Sequence, residues 1–92
     1  MDRLSEDEIA PELESVAWQR EGDAIVLERK FKDFAEAMAF ANRVAEAAEA
    51  ADHHPDILVH DWNQVRLSVH THTAGGLTAA DFALARTIDE IA

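Results

Sequence analysis

The sequence predicts an α+β fold: a four-stranded antiparallel sheet with helices packed on one face, in the order α-ββα-ββα. Three observations carry this. Three stretches have the residues that start helices, two pairs of apolar–polar segments flank turn-forming residues, and the two kinds of segment alternate along the chain. Its 92 residues are room for a single domain spanning 1–92.

The helix starts share one pattern. Leu4-Ser5-Glu6-Asp7-Glu8-Ile9 places Ser5 as N-cap, Glu8 as its reciprocal partner, and Leu4 and Ile9 as the flanking apolar pair. Leu77-Thr78-Ala79-Ala80-Asp81-Phe82 repeats the pattern with the shorter Asp81 in the place of Glu8, and Asp33 with Glu36 gives a looser version. The first helix is short or kinked, because Pro11 removes a backbone donor soon after the start. The central helix runs from Phe34 to about Ala51, with Phe34, Met38, Ala41, Val44, Ala45 and Ala48 at helical spacing. It stops there because Pro55 disfavours helical geometry at His54. The last helix runs from Ala79 to Ile91 and buries Phe82, Ala85, Ile88 and Leu84.

The first strand pair is Ser15–Arg20 and Ala24–Phe31 around Glu21-Gly22-Asp23. The second is Ile57–Asp61 and Val65–Thr71 around Trp62-Asn63-Gln64. In the last strand Val65, Leu67 and Val69 alternate with Arg66, Ser68 and His70, so one sheet face is apolar and the other polar.

Composition removes several functions. There is no cysteine, which excludes a disulfide framework, a Cys-based zinc site and thiol catalysis. Eight basic residues stand against 19 acidic ones, a net charge of −11, and phosphate binding needs a basic face; no nucleic-acid partner is expected. No apolar run approaches the ~20 residues of a membrane span, and Met1–Glu12 is too acidic for a targeting peptide. A soluble cytoplasmic domain is the expectation.

All five histidines fall between His53 and His72. His53-His54-Pro55 ends the central helix, and Thr71-His72 ends the last strand, just before Ala74-Gly75-Gly76. Two element ends therefore each present imidazole, the side chain whose unperturbed pKa permits proton exchange near neutrality. Convergence would make a general acid–base site. Glu49, one helical turn before His53, is placed to orient its ring, and Asp52 to accept a hydrogen bond from a ligand. Plainer readings stand beside this one. Helix C-termini attract histidine through the dipole alone, His70 and His72 share a strand face and would suit a metal given a third histidine, and His60 reads as a solvent-facing strand residue. Trp18 and the phenylalanines read as core.

Glu49-Ala-Ala-Asp52-His53-His54-Pro55, then Trp62, His72 and Asp81, resembles the signature of the pterin-4a-carbinolamine dehydratase family. Thr71-His72-Thr73-Ala74-Gly75-Gly76-Leu77-Thr78 is similar to its second characteristic stretch, and Trp18, Phe31 and Asp33-Phe34 also fit, so the resemblance covers nearly the whole chain. It implies dehydration of 4a-hydroxytetrahydropterin to quinonoid dihydropterin, recycling a tetrahydrobiopterin-type compound after aromatic amino-acid hydroxylation. It implies no cofactor and no metal, the pterin being the substrate. By the resemblance His53, His54 and His72 are catalytic, with His53 and His72 the proton-transfer pair and His54 a positioning group or auxiliary acid. Asp52, Thr71, Glu49 and Pro55 are assigned to substrate binding. The chain departs from the pattern at Ile57, where an aromatic residue is usual, at Thr73, where an acid is frequent, and at His70, where a small hydroxyl residue is common. The resemblance also implies a homo-oligomer, dimer or tetramer, as do the unpaired edges of a small sheet. The alternative function is a non-catalytic dimerisation or assembly module of the same fold.

The acidic excess has a consequence of its own. Only two lysines, Lys30 and Lys32, and six arginines oppose it, so self-repulsion destabilises the compact state until salt screens it. A protein fitted to a salt-rich cytoplasm should gain thermal stability continuously from 0.1 to about 3 M potassium chloride, whereas an ordinary acidic protein should stop gaining below ~0.5 M, where the Debye length is already a few ångströms. Thermal melts across that range separate the two.

Overall fold

Helix α1 (Glu6–Glu14) starts at the expected capping box. The Ser5 N–H donates to Glu8 Oε1 at 2.8 Å, and the Glu8 N–H donates to Ser5 Oγ at 3.2 Å. The hydrogen bonds from Ser5, backbone first and hydroxyl second, hold the Glu8 carboxyl below its usual pKa. That contribution is present above the ordinary carboxylate range and fades as pH falls through it. Pro11 lies inside α1, and the helix still continues to Glu14, where Ser15 turns its N–H and hydroxyl back onto the Glu12 carbonyl.

The computed structural model describes residues 2–91, and after α1 the order is β1 (Gln19–Glu21), β2 (Ala24–Lys30), α2 (Phe34–Ala51), β3 (Asp56–His60), β4 (Gln64–Val69), a 3₁₀ turn (His72–Ala74) and α3 (Ala79–Ile91). The four strands form one antiparallel sheet in the order β1-β2-β4-β3. Expected and observed fold agree. Among the described residues no helix is long and apolar enough to cross a membrane.

Three expected details are corrected. The first strand was expected from Ser15; it is confined to Gln19–Glu21 because Ser15 caps α1 and the next residues are held elsewhere. Asp89 of α3 accepts from the Ala17 N–H and from the Trp18 indole N–H, both at 2.9 Å, and so pulls this segment onto the helix layer. The second hairpin turns one residue earlier than expected. His60 pairs with Gln64, leaving Asp61, Trp62 and Asn63 as the loop, with left-handed φ of 47° at Asp61 and 56° at Trp62. Buried Asn63 holds this uncommon geometry: its side-chain amide donates to the Phe31 carbonyl at 2.9 Å and its carbonyl accepts from the Phe31 N–H at 2.8 Å. Finally, α2 is rotated from the expected face. Ala37, Phe40, Ala41, Val44 and Ala48 are buried, whereas Phe34, Met38 and Ala45 face outward.

The core lies between sheet and helices. Ile25 and Leu27 pair with Val69 and Leu67, and with Val65 they form the apolar sheet face. Phe40 and Val44 of α2 and Phe82, Leu84, Ala85 and Ile88 of α3 close over it. On the opposite face Arg66 bridges Glu21 and Glu28, the pattern of a sheet packed on one side only.

Candidate active site

The end of α2 is built to release His53. Asp52 adopts a left-handed conformation, φ 50° and ψ 43°, and its N–H turns back to the Glu49 carbonyl at 3.2 Å. The His53 N–H reaches the Ala48 carbonyl at 3.1 Å. Together these two bonds close a Schellman motif, which lifts the chain off the helix axis and directs the His53 side chain toward α3. Pro55 then keeps His54 out of helical geometry and starts β3 at Asp56.

His53 meets Asp81. Its Nε2 lies 2.6 Å from Asp81 Oδ1, with the histidine side chain 16% exposed and the carboxylate fully buried. The second carboxylate oxygen, Oδ2, accepts from the Thr71 hydroxyl at 2.9 Å and from the Thr78 N–H at 2.8 Å. Thr71 has one hydroxyl proton and spends it on Asp81, so the 2.9 Å contact between the two threonine hydroxyls is donated by Thr78. Donors thus surround Asp81, and no buried side-chain nitrogen or oxygen among the described residues is left without a partner. Because an ionised carboxylate only accepts, it assigns the proton of His53 to Nε2 and leaves Nδ1 as the basic nitrogen. His53 also borders a shallow depression of about 140 Å³ lined by Ala51, Ala80, Ala83, Leu84 and Thr87. A larger one, about 430 Å³, lies among Arg3, Glu6, Glu8 and Arg20 and contains no histidine.

The same network fixes His72. Thr71 was expected to end the last strand; β4 instead closes at Val69, and Thr71 makes an isolated bridge to Gly76 before the 3₁₀ turn begins at His72. Gly75 supplies the left-handed residue, φ 71°, that closes this turn by donating its N–H to the His72 carbonyl at 3.1 Å. Gly76 admits the Arg3 side chain, whose Cδ would lie 2.6 Å from a Cβ at that position. With Thr71 buried and pinned to Asp81, the exposed His72 next to it is held by the residue that ties down His53's partner. Asp81 therefore joins the end of α2 to the loop after β4.

The partner expected for His53 was Glu49. Glu49 binds His54 instead, Oε2 to Nε2 at 2.5 Å, with both side chains largely exposed. A residue five positions on, past the left-handed turn, comes back beside Glu49, whereas His53 is swung inward. Asp52 projects from the turn into solvent. His70 Nε2 lies 3.1 Å from His72 Nε2. His60 contacts Asp61 at 3.0 Å on the far hairpin. Among the described residues no group of three or more metal-ligating side chains comes together, so the pair His70 and His72 gains no third histidine.

With this geometry in view, comparison with known proteins is decisive. A family model described as pterin 4 alpha carbinolamine dehydratase matches residues 2–91. The chain belongs to that family. A relative from Thermomicrobium roseum named as a pterin-4-alpha-carbinolamine dehydratase is 53% identical over 100% of this chain and 99% of its own. One of the same name from Chloroflexus aurantiacus is 52% identical over 99% and 98%. Among solved structures, a transcriptional coactivator/pterin dehydratase from Brucella melitensis superposes with a TM-score of 0.92 at 36% identity, covering 99% of each chain. A pterin dehydratase-like RuBisCO assembly factor of the alpha-carboxysome shares the fold, with a TM-score of 0.65 at 21% identity over 83% of this chain and 87% of its own.

Asp81 is the site residue to which sequence reasoning assigned a place in the family pattern and a helix-capping role, but no role at the site. Its N3 position was legible; the burial that turns a cap into the orienting carboxylate of His53 was not. Asp81→Asn should turn an amide N–H toward Thr71 and the Thr78 N–H if its oxygen keeps His53, setting donor against donor. In that orientation we expect a loss of about 1–3 kcal/mol in urea unfolding; with the amide N–H facing His53 instead, Nε2 must accept and the His53 ring takes the other tautomer, read by imidazole ¹⁵N NMR. An unchanged midpoint with unchanged resonances would contradict this arrangement.

Proposed function

We propose that this chain dehydrates 4a-hydroxytetrahydropterin to quinonoid dihydropterin by histidine general acid–base catalysis. The single observation that carries the reading is the Asp81 network, which links a basic nitrogen on His53 to the loop that presents His72. In the reaction the C4a–O bond breaks and the leaving hydroxide takes a proton from one imidazole, departing as water. The adjacent ring nitrogen gives its proton to a second imidazole, and its electron pair forms the C=N bond. No electrons leave the substrate, so the step needs no redox partner. Two groups that exchange protons near neutrality suffice.

His53 and His72 are the proton-transfer pair in this reading. His54, exposed and steered by Glu49, positions the pterin or serves as auxiliary acid. Asp52 and Glu49 offer carboxylate acceptors to the donor-rich edge of a pterin, and Pro55 sets the direction of His54. The Thr71 hydroxyl is already engaged by Asp81 and Thr78, so its part in binding runs through the placement of His72. Quinonoid product would return to reduction after aromatic amino-acid hydroxylation in the cytoplasm.

Self-association belongs to the same reading. Both β1 and β3 are sheet edges, β3 leaves Ile57 and Leu58 exposed, and α2 leaves Phe34 and Met38 exposed. Such surfaces favour pairing with a second copy.

An assay with chemically generated 4a-hydroxytetrahydropterin tests the activity. His53→Ala and His72→Ala should each lower kcat at least about 10²-fold, the scale of losing a general acid or base, with the circular dichroism spectrum retained. Full activity in the double variant would overturn the residue roles, and no turnover by the unsubstituted chain would overturn the dehydratase reading in favour of a non-catalytic module. Sedimentation should find a dimer or tetramer at micromolar concentration; a monomer alone would refute self-association.

A further inference from the structure

His70 and His72 are neighbours by construction. Val69 is fully buried, Thr71 is buried, and the residues between and beyond them point the other way, as the two-residue period of extended chain requires. The backbone there is held by the Thr71–Gly76 bridge, by the Ala74 N–H on the Thr71 carbonyl at 3.2 Å, and by the Thr71 hydroxyl on Asp81. The two rings meet edge to face, centroids 4.2 Å apart and planes at 77°, with the Nε2 atoms 3.1 Å apart. One nitrogen must donate and the other accept, so a single proton sits between two imidazoles.

A metal ion can take that proton's place. At zinc–nitrogen bond lengths of about 2.0–2.1 Å, two nitrogens on one ion lie roughly 2.9 Å apart at a right angle and about 3.3 Å apart at the tetrahedral angle. The observed 3.1 Å falls between these limits. We propose that His70 and His72 form a two-histidine chelate for a borderline divalent metal of the zinc class, whose binding occupies the ring nitrogen of His72 and silences the site. The proton on the bridging Nε2 moves to Nδ1 of its own ring, so both neutral rings bind through Nε2 without net proton loss. Water completes the coordination, because no third protein ligand is gathered there among the described residues. Imidazole favours zinc, nickel and copper over hard, oxygen-seeking magnesium. The net charge of −11 enriches all cations at the surface, but it does not choose between them.

Silencing rests on the dehydratase reading; binding does not, and the experiment separates them. Calorimetric titration of the whole protein with zinc chloride in 0.2 M potassium chloride should give one site per chain in the micromolar range, with the Nε2 resonances of His70 and His72 the most shifted. His70→Gln and His70→Ser, at a half-buried position, should fold as the parent does and weaken zinc binding at least tenfold. Magnesium should not compete. In the dehydration assay zinc should inhibit the parent with the same midpoint, reversibly by EDTA, and the variants, each measured against its own metal-free turnover, should escape inhibition. Equal zinc affinity in the variants would overturn the site whatever the activity. Zinc binding at the site without loss of parent turnover, or unchanged inhibition of the variants, would overturn its control of catalysis.

Discussion

The candidate site depends on one buried carboxylate. Asp81 has no exposed surface and accepts from three groups: the His53 ring, the Thr71 hydroxyl and the Thr78 N–H. A buried carboxylate is costly to desolvate, and that cost is offset only where hydrogen-bond donors surround it. The donors come from the C-terminal end of α2, the loop after β4 and the N-terminus of α3. That last location adds the positive end of a helix dipole to the donors. Each donor satisfies a lone pair of a carboxylate that has no exposed surface, so the three segments are fixed together. For a chain whose helices are rich in alanine, this polar knot gives the site a rigidity that apolar packing alone would not.

The sheet and helices supply what the knot requires. Strands β2 and β4 sit at the centre with their apolar face covered by α2 and α3. Asp89 ties the segment before β1 to α3, and Asn63 ties the end of β2 to the second hairpin. Each is a polar side chain that satisfies backbone groups where regular structure stops. The histidines proposed as catalytic lie at such stops as well, at the end of α2 and just past β4. A rigid element sets the position of each.

The three histidines in the dehydratase pattern have different surroundings despite their similar sequence context. His53 and His54 are adjacent, yet one is nearly buried against Asp81 and the other stands in solvent beside Glu49. The left-handed turn at Asp52 causes that divergence, since it reverses the chain between helix and strand. His72 meets a third imidazole, His70. A carboxylate only accepts, whereas an imidazole can donate or accept, so the three rings have hydrogen-bond partners of different kinds.

The sequence by itself determined the order of elements, the helix starts, the single apolar sheet face and the family. Capping boxes, turn glycines and alternating strand residues are local codes, read within a few positions of one another. The spacing from Glu49 to Asp81 likewise carried the resemblance without any contact being known. Tertiary structure decided everything that depends on which distant groups compete. Glu49 lay at the right helical spacing for His53, but the turn at Asp52 gave it His54 and gave His53 to Asp81. Phe34 and Met38 have helical spacing as good as that of Ala37 and Phe40, and only packing against the sheet and α3 chose the second set for the core. Asp81 read as a helix cap because capping is local. Its burial, and so its hold on His53, exists only once α2, the loop after β4 and α3 have come together, and a pairing of residues 28 positions apart leaves no mark in the local pattern.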